Sequence, residues 1–165
     1  MNYIKLLYKE DYHDAAEVIR KSFSTVAAEL GITEDNCPKY VGFVTTAERL
    51  NNHYNMGWLM YGLFHDGKLI GYSSVSKESE TEYEIHNLSV LPEYRHNGYG
   101  NMLLTHCIDK IKELGGNKVK LSIVEENTIL KNWYISYGFK PMGTKKFDHL
   151  SFTSGYMESD IKVLT

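Results

Sequence analysis

The stretch from His86 to Leu114 constrains this chain most, because its hydrophobic period changes there at a glycine-bearing turn. Residues up to Leu91 read as a strand. After Pro92 comes Arg95-His96-Asn97-Gly98-Tyr99-Gly100. Beyond it Leu103, Leu104, Cys107, Ile108, Ile111 and Leu114 form the stripe of an amphipathic helix that Gly115-Gly116 closes. Free N–H groups point out of a helix N-terminus, and the dipole there favours an anion. Glycines let phosphates approach the backbone and tolerate positive φ. Arg95 adds a fixed charge and a hydrogen-bonding fork. The turn thus reads as an anion cradle suited to a diphosphate, or as a tight strand-to-helix turn whose glycines serve geometry alone. No GK[ST] follows, so it is not a Walker loop, and GYGNML lacks the third glycine of a dinucleotide fingerprint.

The flanking segments alternate between the two periods. YIKLLY opens as a strand, and Asp11 is placed to cap a helix carrying Tyr12, Ala15, Ala16, Ile19 and Phe23. The segment from Ala27 to Phe43 is less clearly patterned: it could continue the helix, but GITEDNCPK within it reads as a loop. Thr45-Thr46-Ala47-Glu48 has capping-box spacing and starts a short helix ending near Gly57. LMYGLF and KLIGYSSVS flank His65-Asp66-Gly67, a hairpin signal, and a third strand from Glu82 to Leu91 returns through the polar turn KESET. KVKLSIV places Val119, Leu121 and Ile123 on one strand face. Asn127 then caps a shorter helix with Leu130, Trp133, Tyr134 and Tyr137, terminated by Gly138. Strands near Phe139–Phe147 and Phe152–Ile161 close the chain. This β-α-α-β-β-β-α-β-α-β-β order predicts one three-layer α/β/α domain over residues 1–165. Its sheet is mixed, mostly antiparallel and of about seven strands, with helices on both faces. The strand–helix alternation is too brief for a doubly wound fold.

Composition removes several classes. With 165 residues, one domain is expected. Lys and Arg number 18 against 21 Asp and Glu, a net charge of −3, so no basic excess drives the chain onto nucleic acid or an anionic membrane. The most apolar run, Trp58–Phe64, is far too short to span a bilayer, and the N-terminus has no signal core. Cys37 and Cys107 stand outside any CxxC or Cys/His cluster, which argues against a disulfide framework and for reduced thiols in a cytoplasmic protein. His13, His53, His65, His96 and His106 show no ligand spacing, so no metal is expected.

The combination R-x-x-G-x-G after a strand and into an amphipathic helix, followed by a strand and then N-x6-Y-x3-G-F over Asn127–Phe139, resembles the GNAT superfamily of N-acetyltransferases. The element order matches over most of the chain, and Leu88–Phe139 carries the specific motifs. The resemblance implies acetyl-CoA as cosubstrate. Arg95, His96, Asn97, Gly98, Tyr99 and Gly100 would cradle its diphosphate through backbone N–H groups, with Asn97 standing where many relatives have a basic residue. The pantetheine arm would lie along Leu88, Ser89 and Val90 as an added strand. That slot requires neighbouring strands to splay, and Pro92 would help end pairing there. Asn127 matches the position that touches the cofactor arm and also suits an N-cap. Leu130 replaces a small alanine of many relatives.

Tyr134 aligns with the family's general acid, which protonates the departing thiolate, whereas Tyr137 reads as packing. Glu84, eleven residues before Arg95, falls where some relatives place a general base. Strand alternation puts it on one face with His86, Leu88 and Val90. His86 or water could serve instead, Glu82 is a weaker candidate, and Glu84 also reads as a solvated strand carboxylate. Asp148 and His149, between the last two strands, could hold a cationic amine or form a plain polar connection. The implied activity is acetyl transfer, by direct attack, to a primary amine of a small molecule or peptide. The alternative is a non-catalytic acyl-CoA-binding regulatory module. The acceptor pocket is expected from the Ala27–Gly57 segment and the last hairpin, and a homodimer is within the family's range.

Overall fold

Twelve regular elements follow one another in the computed structural model, which describes residues 1–164. They are β1 (Asn2–Leu6), α1 (Tyr12–Leu30), α2 (Val41–Val44), α3 (Ala47–Asn55), β2 (Leu59–His65), β3 (Lys68–Lys77) and β4 (Glu82–Val90). After these come α4 (Tyr99–Glu113), β5 (Lys118–Val124), α5 (Thr128–Tyr137), β6 (Lys140–Lys146) and β7 (Thr153–Asp160). The strands form one sheet in the order β1-β2-β3-β4-β5-β7-β6. Every neighbouring pair is antiparallel except β4–β5, which the α4 crossover joins in parallel.

Local chemistry accounts for most boundaries. Asp66 and Gly67 both take positive φ (49° and 84°), as a two-residue hairpin loop requires. α1 runs further than its apolar spacing indicated and stops where Gly31 turns left-handed. Asp11 precedes α1 without capping it; its carboxylate instead accepts from the Tyr8 N–H at 3.0 Å. The α3 cap sits one residue later than the box spacing suggested, because the Thr45 hydroxyl bonds the Val41 carbonyl and Thr46 accepts from Arg49 N–H. α4 buries Leu103, Leu104, Cys107, Ile108 and Ile111, whereas Leu114 caps the helix and is exposed. Fully burying such aliphatic side chains stabilises the fold by about 1.5–3 kcal/mol each.

The sheet has helices on both faces. Ile85 of β4 packs with Leu104 and Ile108 of α4. The next residue, His86, points the other way and stacks on Trp58, which stacks in turn on His53 of α3 (centroids 4.0 Å apart in both contacts). At Gly71 of β3 a Cβ would stand 2.8 Å from a Leu103 methyl, so only glycine lets α4 lie this close. β6 is an edge strand with every residue exposed.

One irregularity positions everything that follows. Ser74 pairs with His86 and Tyr72 with Ser89, so two steps along β3 match three along β4. The extra residue forms a bulge at Asn87, whose φ is +55°. On its other side β4 pairs with β5 only from Glu82 to Glu84, opposite Lys118 to Lys120. Beyond Glu84 the two strands part.

Candidate active site

The slot between β4 and β5 follows from that parting. Past Glu84, the β4 backbone groups facing β5 have no ladder partner among the described residues, which leaves them open to an extended ligand. Leu88 and Val90 flank this stretch, and the buried Ser89 hydroxyl donates to the Asn87 carbonyl. Pairing ends at Glu84, well before Pro92, so the bulge and not the proline goes with the opening. The bulge also corrects the expected alternation. Glu84 and His86 share a face with Ser89, while Leu88 and Val90 have crossed to the α4 face, because one inserted residue reverses every later side chain.

The turn into α4 carries two left-handed residues, His96 (φ 63°) and Gly98 (φ 81°). The first helical bond runs from Met102 N–H to the Gly98 carbonyl at 3.1 Å, leaving the N–H groups of Tyr99, Gly100 and Asn101 without helical partners. Asn97 braces the turn, its amide donating to the Tyr94 and Arg95 carbonyls. A Cβ on Gly98 would meet nothing within 4 Å, and one on Gly100 would make ordinary contact with Trp133 at 3.7 Å. The Tyr99 hydroxyl reaches His65. Arg95 departs from its expected task. Its guanidinium donates to the Ser22 carbonyl, the Ser22 hydroxyl and the Thr25 hydroxyl, so its fork holds the turn against α1. The cradle that remains is one of backbone N–H groups.

α5 supplies the far wall. Asn127 caps it, accepting from Leu130 N–H at 3.3 Å. Tyr134 is its one buried residue among those described and packs with Ile85 of β4 and with Leu121 and Ile123 of β5, the strands that part. Burial, reinforced by the nearby Cys107, pushes its phenol well above the ordinary range, so it stays protonated and able to donate. The Tyr137 hydroxyl donates to Asn101 and ties α5 to α4.

On the opposite face, Glu84 sits in a four-residue polar cluster. Oε2 of Glu84 is 3.2 Å from His86 Nε2, which is 2.8 Å from the Ser76 hydroxyl, which donates to Glu78 at 2.8 Å. With the serine proton directed at Glu78, the network assigns the histidine proton to Nε2. Burial holds the His86 imidazole down at about 4. It is therefore a neutral donor that orients Glu84, with Nε2 unable to accept a proton. Desolvation first, then the charge of Glu78 and a hydrogen bond with it, raises the Glu84 carboxyl above its usual range, and Lys120 opposes this. Glu82 is tied to Lys120 at 3.0 Å and held low. Sequence spacing did not single out Glu78, Trp58 or His53. The polar KESET turn was the available signal, since it brings Ser76 opposite Glu84 and Glu78 beside it.

The two segments expected to shape the acceptor side do meet. Ala27, Ile32, Cys37 and Tyr40 form a cluster onto which Phe43, Val124, Leu150 and Phe152 pack, so the β6–β7 loop closes on α1 and α2 over the end of β5. Asp148 and His149 lie exposed on that loop, the histidine ring 5.5 Å from Phe147. No helix among the described residues is long and apolar enough to cross a membrane.

Comparison with known proteins agrees with this architecture. An uncharacterised N-acetyltransferase of Mycobacterium tuberculosis is 28% identical over 83 residues, 50% of this chain and 53% of that protein; the match thus spans about half the relative's length. N-alpha-acetyltransferase RimI of the same organism is 30% identical over 122 residues, 72% of this chain and 71% of RimI. Spermidine N(1)-acetyltransferase of Thermoplasma acidophilum is 27% identical over 152 residues, 89% of this chain and 93% of that protein. The crystal structure of PaiA N-acetyltransferase from Thermoplasma acidophilum in complex with coenzyme A superposes with a TM-score of 0.81. At 24% identity it covers 97% of this chain and 99% of that one, and shows the shared fold. The Acetyltransferase (GNAT) family profile matches residues 32–139, well over half of the chain. With the strand parting at Glu84 and the glycine turn into α4, these matches establish that the chain belongs to the GNAT family of acetyltransferases.

Proposed function

We propose that this protein is an acetyl-CoA-dependent N-acetyltransferase that acts by direct transfer on a primary amine of a small molecule or peptide. The observation that carries this reading is the slot itself. β4 leaves β5 after Glu84, just before the bulge at Asn87, and its edge without ladder pairing leads toward the N–H groups at the start of α4 that lack helical partners. The residues fit the cosubstrate. The backbone of Leu88, Ser89 and Val90 suits the pantetheine arm, the turn from Arg95 to Gly100 suits the diphosphate, and Asn127 stands at the start of the opposing helix. Relatives named for alpha-amino and spermidine acetylation both act on amines, which supports the acceptor class.

Bound acetyl-CoA supplies an acetyl group on an activated thioester, with a thiolate of pKa near 8.5 as leaving group. The chain's own residues manage protons on either side of it. Glu84, desolvated and oriented by His86, takes a proton from the ammonium, and its raised carboxyl brings it closer to the neutral range in which such a base operates. Tyr134, buried and protonated, gives a proton to sulfur.

Two measurements test the reading. Acetyl-CoA, and not ATP or NAD, should raise the melting temperature by binding the native state. Free thiol should then appear when spermidine or a peptide with a free N-terminus is added. Equal shifts with NAD, or none with CoA, would refute the cosubstrate. Tight CoA binding without thiol release would identify a non-catalytic acyl-CoA-binding module.

A further inference from the structure

Acetyl transfer leaves a proton to be disposed of, and the cluster around Glu84 offers a way out. In the reaction R–NH3+ + CH3CO–S–CoA → R–NH–CO–CH3 + HS–CoA + H+, the N–C bond forms and the C–S bond breaks with its electron pair on sulfur. Nitrogen gives up two protons; sulfur's gain balances one, and the other must reach water. Glu84 is half-buried on the cleft side, whereas Glu78, at the β3–β4 turn, is exposed. Carboxylate oxygens of the two residues and a His86 nitrogen lie within 4.8 Å of one another.

We propose that Glu78 is a proton-relay residue for Glu84, passing the proton taken from the ammonium to bulk water. The inference rests on the acetyl-transfer reading. His86 cannot fill this role through Nε2, which donates toward Ser76 and Glu84. Lys120 of β5 is a cation engaged with Glu82. Tyr156 and Glu158 of β7 line the same pocket as Glu84, but Glu158 pairs with Lys118 at 3.4 Å. His53 of α3 lies behind Trp58. Among these groups Glu78 joins Glu84 to the surface, and the Ser76 hydroxyl holds its carboxylate in place. The closeness of the two carboxylates gives a proton a short path from Glu84 to Glu78, the arrangement a relay needs. Glu78 acts through Glu84 and is a positioning residue.

The test compares wild type, Glu78→Gln and Glu78→Asp in two readouts. The first is the pH profile of kcat/KM, with acetyl-CoA and either spermidine or an alanine-terminated peptide as acceptor. The second is the carboxyl 13C NMR titration of Glu84 in the free protein. Removing the Glu78 charge should lower the Glu84 midpoint and move the acid limb of kcat/KM the same way, by about 1 pH unit for carboxylates coupled at this range. The plateau should also fall several-fold, and Glu78→Asp should recover part of it. An unmoved midpoint overturns the proposal, as does a moved midpoint with an unchanged plateau, which would show coupling without relay. If wild type releases no thiol with either acceptor, the acetyl-transfer reading itself falls and takes the relay with it.

Discussion

The Arg95 guanidinium donates to both the carbonyl and the hydroxyl of Ser22, at 2.9 and 3.2 Å, and so fastens the glycine turn to the middle of α1. A residue whose charge suggested phosphate binding is instead a brace between the candidate diphosphate cradle and the helix that flanks the acceptor side. Arg95→Lys keeps the charge but loses the fork. Hydrogen bonds to a charged group are worth about 1.5–3 kcal/mol, so a loss of stability of that order is expected in denaturant unfolding. CoA affinity, measured by calorimetry, should change much less than for loss of a direct phosphate contact. Collapse of CoA binding with unchanged stability would place the charge on the phosphate after all.

The two glycines of the turn should behave differently. Gly98 is left-handed in open space, so Gly98→Ala costs about 1–2 kcal/mol of strain without any clash. Gly100 is helical and a Cβ there meets only Trp133 at van der Waals distance, so Gly100→Ala should hold or raise the melting temperature. If the backbone near Gly100 approaches a diphosphate, Gly100→Val should weaken CoA binding strongly in a protein that still folds. Unimpaired binding by Gly100→Val would remove that residue from the cradle.

Acid should destabilise the protein through its stacked histidines. Burial holds His53 and His86 at about 4, below the ordinary 6.5. Between those values the unfolded chain binds more protons than the native one, so stability rises with pH across this window and is lost as pH falls through it. The melting temperature should drop between pH 6.5 and pH 4. His53 Nδ1 is buried without a hydrogen-bond partner among the described residues, so His53→Phe should keep the stack on Trp58, flatten part of that slope and cost little at neutral pH. A slope identical to wild type would show that His53 titrates normally.

Tyr134→Phe removes one hydroxyl and keeps the ring that packs on Trp133 and Phe139. If Tyr134 protonates the departing thiolate, turnover should fall by about 10²-fold or more while CoA affinity holds. The deficit should shrink with an acyl donor whose thiol is more acidic. Wild-type turnover under chemistry-limited conditions would leave Tyr134 a core tyrosine.

Local signals in the chain settled most element types apart from α2, together with the Asp66-Gly67 hairpin and the Asn127 cap, because each depends on neighbours within a few residues. The glycine turn and the Tyr134 helix were legible for the same reason, whereas Glu84 became a candidate only through the family resemblance. Three features were decided only in tertiary structure. The bulge at Asn87 moves Leu88 and Val90 away from the face of Glu84, and period-two alternation carries no sign of an inserted residue. The Arg95 fork finds its acceptors on a helix 73 positions earlier in the chain, a choice made by packing. Glu78 and Trp58 join Glu84 and His86 because strand register and packing bring them together, and the shifts at Glu84 and His86 arise from burial that no local sequence pattern encodes.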